Sequence, residues 1–134
     1  MYITLLIGAM MVNTAKQTQT DKRVVLAKAL FNVTTELGLK TSELAAALGV
    51  DPSAISRLKK RMALDPDSKK GEIALHLIRI ARALHALTNG DSDWMQAFMR
   101  SENKGTGGIP AQQIATLSGL MQVVRYVDAM RGKV

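Results

Sequence analysis

An all-α fold is what the sequence predicts. Apolar residues recur at three- and four-residue spacing in segment after segment, and Gly, Pro or Asn-Gly stands just beyond most of these segments. Nothing alternates with the two-residue period of a strand, and no internal repeat is visible. The 134 residues suit one domain or two very small ones, and at 47% apolar they can fill a core.

The first helix is expected from Thr20 or Asp21 to Leu37, with Leu26, Leu30, Val33 and Leu37 on one face and Gly38 as its terminator. A short second helix follows over Ser42–Leu48, and Gly49, Val50 and Asp51 turn the chain. Asp51 can cap a third helix whose first position is Pro52, where a missing N–H costs nothing. That helix reaches Arg61, and the loop Asp65–Ser68 divides the chain into residues 21–64 and 65–134. Beyond it, Glu72–Leu87 is a long helix that is apolar around most of its circumference, so it needs partners on more than one side, a second copy of the chain among them. Asn89, Gly90 and Asp91 end it. Ser92 can cap a short helix that carries Trp94, Ala97 and Phe98 on one side. Gly105, Gly107, Gly108 and Pro110 interrupt regular structure before a helical turn over Ala111–Ile114. The last helix runs from Leu117 or Ser118 to Arg131, with Leu117, Leu120, Val124, Val127 and Met130 at core spacing and Gly132 as terminator.

Composition narrows the chemistry. Eighteen Lys and Arg against 11 Asp and Glu give a net charge of +7, which favours an anionic partner such as nucleic acid. Residues 1–70 hold 11 basic and 6 acidic groups and residues 71–134 hold 7 and 5, so the anion-binding surface belongs mainly to the first half. The absence of cysteine excludes disulfides, thiolate zinc sites and cysteine nucleophiles. Met1–Val12 is apolar but about a dozen residues long, where a membrane span needs about 20. No basic segment precedes it as a signal peptide requires, since Lys16 is the first charged residue. Residues 1–20 therefore read as a leader: disordered, packing on a partner, or the product of a start set too early, with Met10 or Met11 as the initiator.

The most informative segment is Thr41–Arg61, TSELAAALGVDPSAISRLKKR. Two short helices that cross steeply need a small residue at the crossing, a turn residue tolerant of positive φ, and a few apolar pins. Ala45, Gly49 and the set Leu44, Leu48, Val50, Ile55 and Leu58 supply them, at the spacing of the Xre/Cro-like helix-turn-helix. On DNA the third helix would enter the major groove and the second would lie across the backbone. Ser53, Ser56, Arg57 and Lys60 point away from the Ile55–Leu58 face; Arg57 suits a guanine edge, while Lys59, Lys60 and Arg61 suit phosphates. Thr41 and Ser42 are the few side chains of the second helix able to meet the backbone. The bland alternative is a solvated helix end whose cations favour the negative pole of the dipole.

Other candidates are weaker. His76 and His85 lie nine residues apart on one helix and so face opposite ways, which excludes a shared metal, and no metal site or cofactor is expected. The loop Gly105-Thr106-Gly107-Gly108 lacks the lysine and the preceding strand of a phosphate cradle. No nucleophile, base and acid stand at a recognisable spacing, so no enzyme is expected. The methionines read as packing filler, although Met95, Met99, Met121 and Met130 would suit an adaptable partner surface.

From Leu64 onward the chain resembles the toxin-binding domain of the Xre/MbcA/ParS antitoxins. The resemblance rests on Lys70-Gly71-Glu72-Ile73-Ala74, Arg79 to Leu84, Gly90-Asp91, Trp94-Met95, Asn103 and Gly107-Gly108-Ile109-Pro110. It continues through Thr116 to Leu120, Tyr126 to Met130 and the terminal Arg131-Gly132-Lys133-Val134. With the helix-turn-helix it covers residues 21–134. It implies a cytoplasmic type II antitoxin that binds its own promoter, and a second small helical domain for toxin binding or dimerisation. The partner it implies is a RES-domain toxin that consumes NAD and whose active site the antitoxin covers. Trp94, Asn103, Gly107, Gly108, Pro110, Tyr126, Arg131, Gly132, Lys133 and Val134 are the toxin contacts expected, with the last four as a tail that follows the helix stop and enters a cavity. Trp94 can equally be core, as a large ring at helical spacing usually is, and Asn103 can equally serve a local turn. A homodimer would set two recognition helices about one DNA turn apart, near 34 Å. The competing reading is a stand-alone dimeric regulator whose second half senses a ligand or only dimerises.

Overall fold

The computed structural model describes residues 21–132; the leader over 1–20 and the tail residues Lys133 and Val134 lie outside the described residues. Seven helices, and no strand, make up the described residues: α1 (21–36), α2 (Thr41–Leu48), α3 (Pro52–Arg61), α4 (Lys69–Thr88), α5 (Ser92–Arg100), α6 (Pro110–Gln113) and α7 (Leu117–Gly132). The expected all-α class and its order of elements are the observed ones. No helix among the described residues is long and apolar enough to cross a membrane.

Leu26, Leu30, Val33 and Leu37 are all buried, as their spacing requires. In the turn after α2, Gly49 adopts φ +70°, a left-handed conformation that a Cβ disfavours. The Val50 N–H donates back to the Ala45 carbonyl at 3.0 Å, and Ala45 is buried where α2 meets α3. Asp51 stands at the N-cap of α3, but its carboxylate makes no cap hydrogen bond, contrary to expectation. The Ala54 N–H donates instead to the Asp51 backbone carbonyl at 2.9 Å.

The long helix begins one turn earlier than the apolar pattern implies. Ser68 caps it, accepting from the Gly71 N–H at 3.0 Å and donating to the Asp65 carbonyl at 2.6 Å. The loop lies so close that a Cβ on Gly71 would stand 2.0 Å from the Asp65 oxygen, so no side chain fits there. Around α4 the residues Ala74, Leu77, Ile80, Ala81 and Leu84 are buried, and α7, α5 and α2 are its neighbours. Most of the burial that its composition demands is met within the chain, while Leu75 stays 48% exposed beside α1.

Asp91 rather than Ser92 caps α5, its Oδ1 accepting from the N–H groups of Asp93 (3.1 Å) and Trp94 (3.3 Å). A carboxylate there also meets the positive end of the helix dipole. The packed face of α5 is Met95 and Met99, both fully buried, and Trp94 is 58% exposed. Trp94 is thus not core: two flexible thioether chains fill the space beside α4 and α6, and the wide indole is left outside. Met95 and Met99 accordingly are filler and not partner surface, whereas Met130 is exposed. Gly132 does not stop α7; the helix includes it, so Arg131 and Gly132 belong to the last helical turn and not to a free tail.

One apolar cluster runs through the molecule, from Leu26 and Leu30 of α1 through Leu44, Ile55 and Leu77 to Val127 of α7. Arg79 and Asp128 tie α4 to α7 across its edge, with Nε–Oδ1 3.1 Å and Nη2–Oδ2 2.8 Å.

Candidate functional site

The outward side of α3 is set by its own periodicity. Ile55 and Leu58 are buried, so the 3.6-residue turn centres Ser53 and Lys60 on the outer face, with Ser56 and Arg57 beside them. Lys59 and Arg61 flank that face, and all six are exposed. No acidic residue lies on α3, whose last turn carries Lys59, Lys60 and Arg61. Two grooves border the helix. On one side Ser56 and Lys59 share a groove of about 290 Å³ with Thr41, Thr34 and Thr35, which brings the start of α2 and the middle of α3 onto one polar surface. On the other side Arg57 and Arg61 share a groove of about 170 Å³ with Lys70 of α4. Ser42 is exposed in the first turn of α2, next to Lys40 at its N-cap.

Lys40 and Lys70 are cations that sequence reasoning missed. Lys40 precedes a helix N-terminus, a position visible in sequence; Lys70 joins Arg57 and Arg61 only through the folding of α4 against α3, which no local pattern reports. Such a surface, cationic on the outward face of a helix whose other face is buried, can receive phosphates and base edges.

The second half carries a different surface. Trp94, Phe98 and Asn103 line a shallow groove of about 230 Å³, together with Ala97, Ser101 and Glu102. The Phe98 ring stacks on Tyr126 of α7, centroids 6.1 Å apart and planes within 11°. Tyr126 in turn covers Gly105, where an added Cβ would stand 2.2 Å from the ring. Asn103 organises the loop that follows: its Oδ1 accepts from the N–H groups of Gly105 (2.7 Å) and Thr106 (3.3 Å), and its backbone pairs with Gly108. The local-turn reading of Asn103 therefore describes this structure, and its amide oxygen is spent inside the loop. Buried Thr106 closes the loop from within, its hydroxyl placed 3.2 Å from the carbonyls of both Asn103 and Gly108. Gly107 is exposed at the tip, Gly108 is half-buried, and Pro110 is buried at the first position of α6.

Of the expected toxin contacts, the fold brings Trp94, Asn103 and Tyr126 together and sets Arg131 elsewhere. Arg131 lines a groove between α1 and α4 with Lys22 and Arg79. Lys133 and Val134 are outside the described residues. No group of three His, Asp or Glu among the described residues could hold a metal ion.

Between the two surfaces runs a clamp absent from the sequence reading. Arg100 at the end of α5 forms a two-point ion pair with Glu43 of α2, Nη2–Oε1 2.7 Å, and also donates to the Gly38 carbonyl. Glu43 Oε1 accepts from the Lys40 N–H at 2.8 Å as well, which satisfies a free donor at the start of α2. The hydrogen bond from Arg100 holds the Glu43 carboxyl below its ordinary pKa, with the Lys40 N–H adding to it and burial opposing it. The same bond raises the Arg100 guanidinium.

Comparison with known families adds two matches. Residues 17–79 match the antitoxin Xre-like helix-turn-helix domain, which takes in α1 to α3 and the first half of α4. Residues 83–133 match the antitoxin Xre/MbcA/ParS C-terminal toxin-binding domain, which takes in the rest of α4 and α5 to α7. No curated protein matches the chain. The two matches are adjacent, leave only residues 80–82 between them, and coincide with the cationic and aromatic surfaces respectively: the chain belongs to the Xre/MbcA/ParS antitoxins, with a helix-turn-helix DNA-binding domain and a toxin-binding domain.

Proposed function

We propose that the chain is a cytoplasmic type II antitoxin that represses its own promoter and neutralises a RES-type, NAD-consuming toxin by covering its active site. The observation that carries this reading is Trp94 of α5, an indole left in solvent in one groove with Phe98, which stacks on Tyr126, and with Asn103, which braces the loop that follows. Exposed, rigidly backed aromatic rings are the usual anchors of a protein interface. Trp94, Tyr126 and Gly107 meet the toxin here; Asn103, Gly108 and Pro110 act by holding the loop; Arg131 to Val134 form a second contact.

The DNA contacts are Arg57 toward a base edge, Ser53 and Ser56 toward base edges or phosphates, and Thr41, Ser42, Lys59, Lys60 and Arg61 toward phosphates. A homodimer would place two recognition helices on the two half-sites of a two-fold operator.

Co-purification with the product of the adjacent gene, and fluorescence anisotropy on the chain's own promoter, test the two halves. Trp94→Ala is expected to lose the toxin and keep DNA; deletion of Arg131–Val134 is expected to weaken neutralisation and also keep DNA. If the wild-type chain binds its promoter but no neighbouring product at micromolar concentration, it is a stand-alone regulator and the antitoxin reading fails.

A further inference from the structure

We propose that the face shared by α1 and α4 seats a second copy of the chain whose α1 and α4 run in the opposite sense, an inference that rests on the homodimer reading above and names its contact surface. The two helices lie side by side in one direction. Arg23 Nη2 stands 3.7 Å from Asp65 Oδ2 at their starts, and His85 Nε2 stands 3.8 Å from Glu36 Oε1 at their ends. Between them runs a groove of about 620 Å³, with Leu26, Ala29 and Ile78 in its lining. Val25, 62% exposed, and Leu75, 48% exposed, line it too. Of the five large apolar side chains that the described residues leave open, only these two share a groove; Trp94 belongs to the aromatic surface, and Leu117 and Met130 lie on α7.

The outer strip of α4 has the spacing of a helix seam. Glu72, Leu75, Arg79, Arg82 and Ala86 are all exposed, and they follow one another at alternating steps of three and four residues. That alternation is how one helix presents a continuous row to another.

Charge selects the orientation. The strip is acidic at its start, where Glu72 precedes Leu75 by one turn and Asp21 stands on the neighbouring edge of the groove. It is basic farther on: Arg79 is already paired with Asp128, and Arg82 forms no ion pair among the described residues. A two-fold contact can set the copies in the same sense or in opposite senses. The same sense puts Glu72 beside Glu72 and Arg82 beside Arg82; the opposite sense brings the acidic start of each copy to Arg82 of the other. Lys22 and Arg131 complete the rim and leave each copy with one cation in excess, but that excess acts in both senses alike. Exposed ion pairs contribute little each, so the apolar contact of Val25 and Leu75 supplies the affinity and the charges supply the direction.

Sedimentation equilibrium of the full chain at micromolar concentration tests this seat, with far-UV circular dichroism reporting the fold of every variant. Wild type is expected at twice the mass of the chain. Leu75→Glu and Val25→Glu are each expected to raise the dimer dissociation constant about 30-fold or more, the loss that follows from spoiling a central contact. Val25, the more exposed of the two, keeps the test open should Leu75→Glu unfold. Leu117→Glu, at an open position outside the face, is expected to change nothing. Glu72→Arg and Arg82→Glu are each expected to weaken the dimer, and the double variant to recover it, because opposed copies then pair again with the signs exchanged. With the copies in the same sense, each single change only replaces one like-charge meeting by another. A wild-type dimer that survives both apolar substitutions, or charge changes without loss or without rescue, overturns this seat and leaves the homodimer reading standing. A wild-type monomer overturns both.

Discussion

Gly49 and Gly71 are both required, for different reasons that substitution separates. At Gly49 an added Cβ meets nothing within 4 Å, yet φ is +70°, so the cost of Gly49→Ala is conformational, about 1–2 kcal/mol. At Gly71 the backbone is helical and the obstacle is the Asp65 carbonyl, 2.0 Å from the added carbon. Relief there needs the capping loop to move, which places Gly71→Ala in the overpacking range, about 1–3 kcal/mol, and disturbs Ser68 as well. Urea midpoints measure both losses; Gly49→Asn, which tolerates the left-handed region, is expected to recover most of the first, and no side chain recovers the second. Leu30, fully buried in α1, supplies the comparison at which packing alone is lost: Leu30→Ala is expected to cost about 2–5 kcal/mol.

At the scale of elements, α3 and the α2–α5 pair make separable demands. On α3, Lys59→Ala is expected to lower the slope of log binding constant against log salt by about one and to weaken binding evenly across DNA sequences. Arg57→Ala is expected to cost about 1–3 kcal/mol on the operator and much less on unrelated DNA, and a titration of both probes across salt concentrations distinguishes the two. Between α2 and α5, the ion pair of Glu43 with Arg100 is partly open to solvent, so Glu43→Gln is expected to cost about 1 kcal/mol or less at neutral pH. Glu43 has a depressed pKa in the fold, so its contribution is complete above the ordinary glutamate value and disappears as pH falls through the lowered one. The gap in urea midpoint between wild type and Glu43→Gln is therefore expected to hold steady through neutral pH and to close only in acid.

The same elements show what the sequence could and could not disclose. Helix order, the Ala45 and Gly49 crossing and the outward row of α3 follow from short-range periodicity, because one buried pair, Ile55 and Leu58, fixes the whole circumference of that helix. In α5 the pattern is ambiguous: Trp94, Ala97 and Phe98 make one apolar side and Met95 and Met99 another, and only the neighbours α4 and α6 decide which side is buried. Arg100 and Glu43, 57 residues apart, form a pair that no spacing rule reaches. The aromatic surface is half legible for the same reason, since Tyr126 joins Trp94 and Phe98 only through tertiary packing.

At the scale of the molecule, the decisive fact is that the two matched domains divide α4 between them, at residues 79 and 83, while one apolar cluster passes through both. The helix is a shared beam: it packs on α2, on α5 and on α7, and Arg100 adds a second link from α5 back to α2. Units that share so much buried surface open together. Amide exchange is expected to give the same limiting free energy, within about 1 kcal/mol, for Leu44 and Leu48 of α2 as for Val123 and Val127 of α7. A helix-turn-helix that opens several kcal/mol more readily than α7 would mean that the cluster is continuous in contact but divided in energy. Cooperative opening has a consequence for binding: a partner held on Trp94 and Tyr126 stabilises α5, hence Arg100, hence the start of α2, and so raises protection at Leu44 without touching it. In Arg100→Ala the rise at Leu44 is expected to shrink while that at Val123 persists, a split that a purely local effect of the partner does not produce.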